Sequence, residues 1–325
     1  MKQENQMLDF DNNTPPAPPD EAETINQMIA TILERQDKFY QPGTVARRAL
    51  HGKSLGVVKA SLEVLDLPAH LQIGIFKEAK VFDAVLRFSN GGLSEKAHDL
   101  IPNVRGMGLK ILGVSGEKGL PGDENSTEQD FIMANFPTFF VSTAKQMLLV
   151  IQGKILELLM QKPGIPYVGL LATGKPVNSV LASDYYSQMP HRFGNRACKY
   201  ALIHKAKGAA EVSVNYLDND YLRHTLQKQL AKAPAQFIFC VQLQEHGEST
   251  SDPTQLWHGE HIPLANLTIA QTGSPIRESD GEALSFNPAR SIVEHCPIEW
   301  PARMRRAVYQ ADYNWRTKKN IDKST

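Results

Sequence analysis

Three observations predict an α+β architecture, an antiparallel β-barrel wrapped by helices. Short apolar runs follow one another from residue 55 to about 140, separated by glycine and proline and not by helices. A second pair of such runs lies between 209 and 243. Segments with apolar residues at helical spacing stand near both ends of the chain and in its middle.

In chain order, residues 1–23 carry six acids against one lysine and the run Pro15-Pro16-Ala17-Pro18-Pro19. Such a segment has little to bury and reads as a flexible acidic, Pro-rich arm, leaving 24–325 as a single domain. Thr24 caps a helix whose apolar face is Ile25, Met28, Ile29 and Ile32, ending before Pro42-Gly43. Strands are expected at Val57 to Leu65, Leu71 to Phe76, Val81 to Phe88, Gly108 to Val114 and Asp130 to Met133. Gly91-Gly92, Gly113 to Gly116 and Pro121-Gly122-Asp123 are the turns between them. Ser142 to Gln161 reads as one helix, capped by Ser142 and stopped by Pro163-Gly164. Strands at Ala209 to Tyr216 and Gln236 to Leu243 flank a helix from Asp218 to about Lys232. Trp300 to Lys318 forms the last helix, with Pro301 in its first turn.

The 325 residues hold 35 basic and 35 acidic side chains, a balance that argues against nucleic-acid and polybasic membrane binders. Cys198, Cys240 and Cys296 are too far apart for a metal motif and read as buried thiols of a reducing compartment. No basic region followed by an apolar stretch opens the sequence. The most apolar segment, Met147 to Met160, carries Lys154 and Glu157 and is too short to span a bilayer. A cytoplasmic protein without stable membrane insertion is expected. The acidic arm and the basic C-terminal tail could pair within a subunit or between subunits of a homo-oligomer, or remain solvated.

Four groups of residues carry chemistry. Arg305 and Tyr309, four apart, share one helical face, and a guanidinium against a phenol oxygen favours the phenolate, an anionic ligand for ferric iron. Arg316 returns to that face two turns later. His51, in Ala46 to Gly52, stands at a strand entrance, where its unperturbed pKa near 6.5 suits proton transfer. Arg87 and Ser89 alternate with Phe88 and so face one side of a sheet. Asn135, in the apolar run Asp130 to Phe140, must find partners for its amide. Taken singly, each has an ordinary reading: a salt-bridged helix, a structural histidine, a strand, a turn before Pro137.

Taken together and in order, they resemble the haem catalase superfamily. Arg48-x-x-His51 is similar to its distal-histidine motif, and Arg87-Phe88-Ser89 to its Arg-Phe-Ser. Arg105-Gly106-Met107-Gly108-Leu109-Lys110, following Pro102, is similar to its Arg-Gly-Phe-Ala-x-Lys strand. Asp130 to Phe140, Leu256-Trp257 and Leu284-Ser285-Phe286-Asn287-Pro288 also fit, and Arg305-x-x-x-Tyr309 resembles the proximal tyrosinate motif. The resemblance runs from about 40 to 318. Because the chain is short, it points to the small catalase-related hydroperoxidase branch, which includes the coral allene oxide synthase domain.

The resemblance implies a catalase-like barrel and haem, of the b type, with Tyr309 as axial ligand and Arg305 as its charge partner. It implies His51 as distal base, bonded to Ser89, and Arg48, Arg87 and Arg316 as binders of the haem propionates. Phe140 is expected to line the distal face. The two adjacent asparagines of the large catalases are Ala134 and Asn135 here. Either the loop shifts by one residue so that Asn135 serves the distal site, which is the favoured alternative, or that amide is lost. Leu50, before His51, leans toward peroxidase chemistry. The implied activity is reduction of hydrogen peroxide or organic hydroperoxides through a ferryl state, with a small-molecule electron donor. A fatty-acid hydroperoxide isomerase or dehydratase, or a non-catalytic haem-binding barrel, is the alternative.

Overall fold

The computed structural model describes residues 17–321, apart from 93–95, 120–122, 166–168, 170–172, 175, 206–208 and 273–277. Among them nine strands form one antiparallel sheet: β1 (Ser54–Val64), β2 (Val81–Asn90), β3 (Arg105–Leu112), β4 (Glu128–Ala134), β5 (Tyr185–Tyr186), β6 (His191–Phe193), β7 (Arg196–His204), β8 (Ala235–Leu243) and β9 (Ile262–Ile269). The order β5-β4-β3-β2-β1-β9-β8-β7 closes on itself where β5 pairs with β7, giving an eight-stranded barrel with β6 added beside β7. Closure leaves the barrel strands no free edge. Its interior is aromatic: Phe131 lies 5.0 Å from both Tyr200 and Phe239, ring to ring.

Helices α1 (Glu21–Phe39), α2 (Ala144–Gln152), α3 (Ile155–Gln161), α4 (Tyr221–Lys232), α5 (Glu278–Ala283) and α6 (Glu299–Ile321) surround it. A second core, separate from the barrel's, joins Met28 and Ile32 of α1, Leu148 and Ile151 of α2, and Trp300, Met304 and Val308 of α6.

Several elements differ from the sequence reading. Helix α1 begins at Glu21, inside the stretch assigned to the arm, and Thr24 bonds back to the Asp20 carbonyl (2.8 Å) instead of capping. Residues 1–16 of that arm and 322–325 of the basic tail lie outside the described residues. Leu71 to Phe76 is no strand: it spans the end of one 3-10 turn (Ala69–Leu71) and a second (Gly74–Phe76), which Gly74 opens at φ +55°, a value strands do not take. Ser142 to Gln161 is two helices, because Gly153 turns left-handed (φ +73°), and the cap is Thr143, which accepts from the Gln146 N–H at 3.2 Å. The stretch from Ala209 to Tyr216 is not a strand: side chains of α4 take its carbonyls, Gln229 bonding Ala210 at 2.9 Å. The cysteines are free and buried, as expected. Among the described residues, no helix is long and apolar enough to cross a membrane.

Candidate active site

The outer face of β2–β4 forms one wall of a cleft. Residues opposite one another on neighbouring strands share a face. Arg87 is opposite Gly108, which is opposite Ile132; Ser89 is opposite Gly106, which is opposite Ala134. The alternating residues Phe88, Met107 and Met133 turn inward to fill the barrel. The wall therefore carries polar groups on β2 and falls flat across β3. Flatness is required there: a Cβ on Gly106 would lie 2.5 Å from His51 Nδ1 and 2.8 Å from Ser89 Oγ, and one on Gly108 would lie 2.9 Å from the Phe286 ring.

His51 is held over this floor from several sides. Its Nδ1 is 3.1 Å from Ser89 Oγ, and its carbonyl accepts from Arg87 Nη2 at 2.9 Å. With the serine proton directed to the Gly106 carbonyl (3.4 Å), Nδ1–H donates to Oγ and Nε2 keeps its lone pair. Two residues on, the buried Lys53 ammonium is fixed by Asp99 and Asp220, each at 2.8 Å. His51 itself takes φ +54°, unusual for a branched ring and a mark of a residue over-determined by its surroundings. Burial, with Arg87 and Arg305 adding positive charge nearby, pushes its pKa down to about 4.

Helix α6 forms the facing wall, with Val308, Tyr309, Asp312 and Arg316 on the cleft. Arg48, Arg87 and Arg316 line it together. Behind them stands a residue the sequence reading missed, Glu282 of α5: its Oε2 is 2.6 Å from Arg48 Nη1 and its Oε1 3.2 Å from Arg87 Nη2. Arg316 Nη1 donates to the Glu282 carbonyl at 2.6 Å, and Arg316 Nε to Asp312 at 2.9 Å. Arg87 Nε is buried with no partner, a donor left free for an anion. Ile32, Leu50, Ile132 and Phe286 supply apolar surface to the cleft. Flat floor, apolar walls, a phenol and an orphaned guanidinium N–H fit a planar ligand with carboxylates at one edge.

Of the residues expected from sequence, Arg48, His51, Arg87, Ser89, Tyr309 and Arg316 converge on this cleft. Arg305 stands beside it, its guanidinium 5.6 Å from the Phe139 ring centre; burial lowers its pKa and Tyr309 opposes that shift. Phe140 is not on the cleft wall; its ring packs against Phe139 at a tilt of 44°, with centroids 4.7 Å apart. Nor is Asn135: its Oδ1 accepts from the Arg105 N–H (2.6 Å) and its N–H bonds the Arg105 carbonyl (2.9 Å), prolonging the sheet by one residue. The favoured one-residue shift is not what the register gives, since the row through Ser89 and Gly106 ends in the methyl of Ala134.

The glycine floor yields a sharp expectation. Gly106→Ala should displace the His51 ring and Ser89, destabilising the protein by about 1–3 kcal/mol through overpacking. It should also remove most His51-dependent activity; denaturant titration and initial rates check the two effects.

No family model matches the sequence. It is similar to a catalase-related peroxidase of Mycolicibacterium paratuberculosis, 27% identical over 295 residues covering 85% of this chain and 90% of that protein. Among solved structures, a fungal catalase matches 89% of the chain with TM-score 0.64 at 16% identity, and a bacterial catalase 96% with TM-score 0.65 at 13%. Catalase A from Saccharomyces cerevisiae matches 86%, with TM-score 0.63 and 14% identity. The chain spans about three fifths of those catalases' length, the matches covering 62%, 64% and 61% of them respectively. Closed barrel and wrapping helices give this chain the fold of those catalases, and over most of its length its sequence is similar to that of a catalase-related peroxidase.

Proposed function

We propose that the protein is a haem-dependent hydroperoxidase, an oxidoreductase that reduces hydrogen peroxide or organic hydroperoxides at the expense of a small-molecule donor. The observation that carries this is the cleft itself, with His51 on the barrel wall, Tyr309 on the helix wall and three arginines lining it. Arg48, Arg87 and Arg316 would hold the propionates of a haem, the Tyr309 oxygen would ligate its iron, and Arg305 would supply the opposing charge beside it. When bound, the haem supplies a redox-active iron at which the peroxide O–O bond is cleaved.

The chain's own contribution is proton handling and orientation. His51 Nε2 accepts the hydroperoxide proton and returns it to the departing oxygen, which leaves as water or alcohol. Ser89 fixes the tautomer that makes this possible. Ala134 bears on the substrate: the row through Ser89 and Gly106 ends in a methyl, and Leu50 and Ile132 stand on the same cleft. A peroxide oxygen therefore loses an amide partner, while an alkyl group gains apolar surface. Peroxidase turnover of organic hydroperoxides should outrun dismutation of hydrogen peroxide.

The test is consumption of cumene hydroperoxide and of hydrogen peroxide by the haem-supplied protein, measured across pH. A base that must be neutral works only above its pKa. Because that of His51 is lowered to about 4, activity should hold constant from neutral pH downward, then fall through pH 4. An acid limb centred on 6.5 would mean an unburied imidazole, and no consumption of either peroxide would end the proposal.

A further inference from the structure

The arginines of the cleft are partly neutralised from within. Arg48, Arg87 and Arg316 bring three positive charges together, against the carboxylates of Glu282 and Asp312. Glu282 is only 1% exposed and touches Arg48 and Arg87 at once, at 2.6 and 3.2 Å. It lies behind the guanidiniums: they line the cleft and it does not. Arg48 is held further by Leu284, whose carbonyl accepts from Nη2 at 2.6 Å. Asp312 does different work. It accepts from Gln36 of α1 (2.8 Å), from the Ala49 N–H (2.9 Å) and from Arg316 (2.9 Å), tying the His51 loop to α6.

Three guanidiniums in one part of a cleft repel one another in a ligand-free protein, and this cost rises as water is excluded. Burial pushes the Glu282 carboxyl upward, yet Arg48, Arg87 and Arg316 outweigh it and hold the group below the usual carboxylate range. Glu282 is thus a charged carboxylate in the folded protein, set where it can bind two arginines without filling the space in front of them.

We propose that Glu282 is the resident counter-ion of these arginines: a positioning residue that keeps Arg48 and Arg87 converged before a ligand arrives, and whose charge opposes that of the ligand's carboxylates. The idea rests on reading the cleft as the seat of a carboxylate-bearing porphyrin. Counted formally, three guanidiniums against the carboxylates of Glu282 and Asp312 leave a single positive charge for a ligand that brings two negative ones. Glu282 therefore favours folding of the empty protein at the expense of binding strength.

The experiment uses Glu282→Gln, which keeps shape and one acceptor but removes the charge. Metal-free protoporphyrin IX, a dicarboxylate, and its uncharged dimethyl ester are titrated into ligand-free protein, and Tm is measured without ligand. The expected result is a Tm lower by about 5 °C or more, protoporphyrin binding about tenfold tighter, and unchanged binding of the ester. The charge-compensated variant Glu282→Gln/Arg48→Gln should recover the ligand-free Tm, which keeps the test alive if Glu282→Gln alone does not fold. Unchanged or weaker protoporphyrin binding by Glu282→Gln would overturn the proposal, as would a double variant no more stable than the single one. Failure of the wild-type protein to bind either porphyrin overturns the cofactor reading of the cleft instead, while the two Tm comparisons still decide whether Glu282 acts as a counter-ion.

Discussion

His51→Ala is expected to lower hydroperoxide consumption by about 10²–10⁴-fold, the usual worth of a positioned proton-transfer group, while haem binding and its visible spectrum persist. The separation follows from geometry. His51 sits on the barrel wall against Gly106 and Ser89, while the proposed iron ligand, Tyr309, comes from α6 on the other wall. Removing the imidazole takes away the basic nitrogen held over the Ser89–Gly106 floor, the group placed to accept and return a proton. Backbone strain complicates the alanine variant, because position 51 has φ +54°. His51→Asn is the proper companion, since asparagine tolerates that conformation but has no basic nitrogen. Equal loss in both variants assigns the effect to proton transfer. Recovery in His51→Asn would assign it to the loop, and full activity in both would remove His51 from the reaction.

Much of this site was legible because its residues are the kind whose chemistry depends on local spacing. Arg87 and Ser89 face one way by strand alternation, and Tyr309 and Arg316 by helical return, so β2 and α6 place them where the sequence says they should be. The closure of the barrel was harder to see. β5 has two residues and β6 three, too short for any pattern, and β9 carries Pro263, opposite which the β8 ladder slips between Phe239 and Cys240. Glu282 was invisible for a different reason. It lies on a six-residue polar helix with no periodicity, and its meaning comes from Arg48 and Arg87, 234 and 195 residues away in sequence. Ala134 against Asn135 shows the limit most clearly. Which of two adjacent residues faces the cleft is a matter of strand register, and a slip of one position exchanges the faces. The sequence offers an asparagine at that point, whereas the pairing of Gly106 with Ala134 presents a methyl.

Tyr309→Phe should produce the opposite pattern to His51→Ala: a changed or lost spectrum in the haem-supplied protein, with activity falling along with it. The substitution removes one oxygen and keeps the ring, so packing around α6, where Met304 and Val308 fill the second core, is preserved and the ligand-free Tm should hold. What disappears is the oxygen proposed to meet the iron and the partner that acts on the buried Arg305 guanidinium. Arg305 supplies the calibration. Acting through Tyr309 and not on the iron, Arg305→Gln should cost roughly the 10–100-fold typical of an outer partner, with the spectrum shifted but not abolished. Tyr309→Phe must therefore cost more than Arg305→Gln and must alter the spectrum more. If the two variants are alike, the tyrosine serves only to pack α6 and the iron ligand lies elsewhere. If Tyr309→Phe retains both spectrum and turnover, the cleft could still bind a porphyrin through its arginines, but not by the axial chemistry that the pairing of Arg305 with Tyr309 implies.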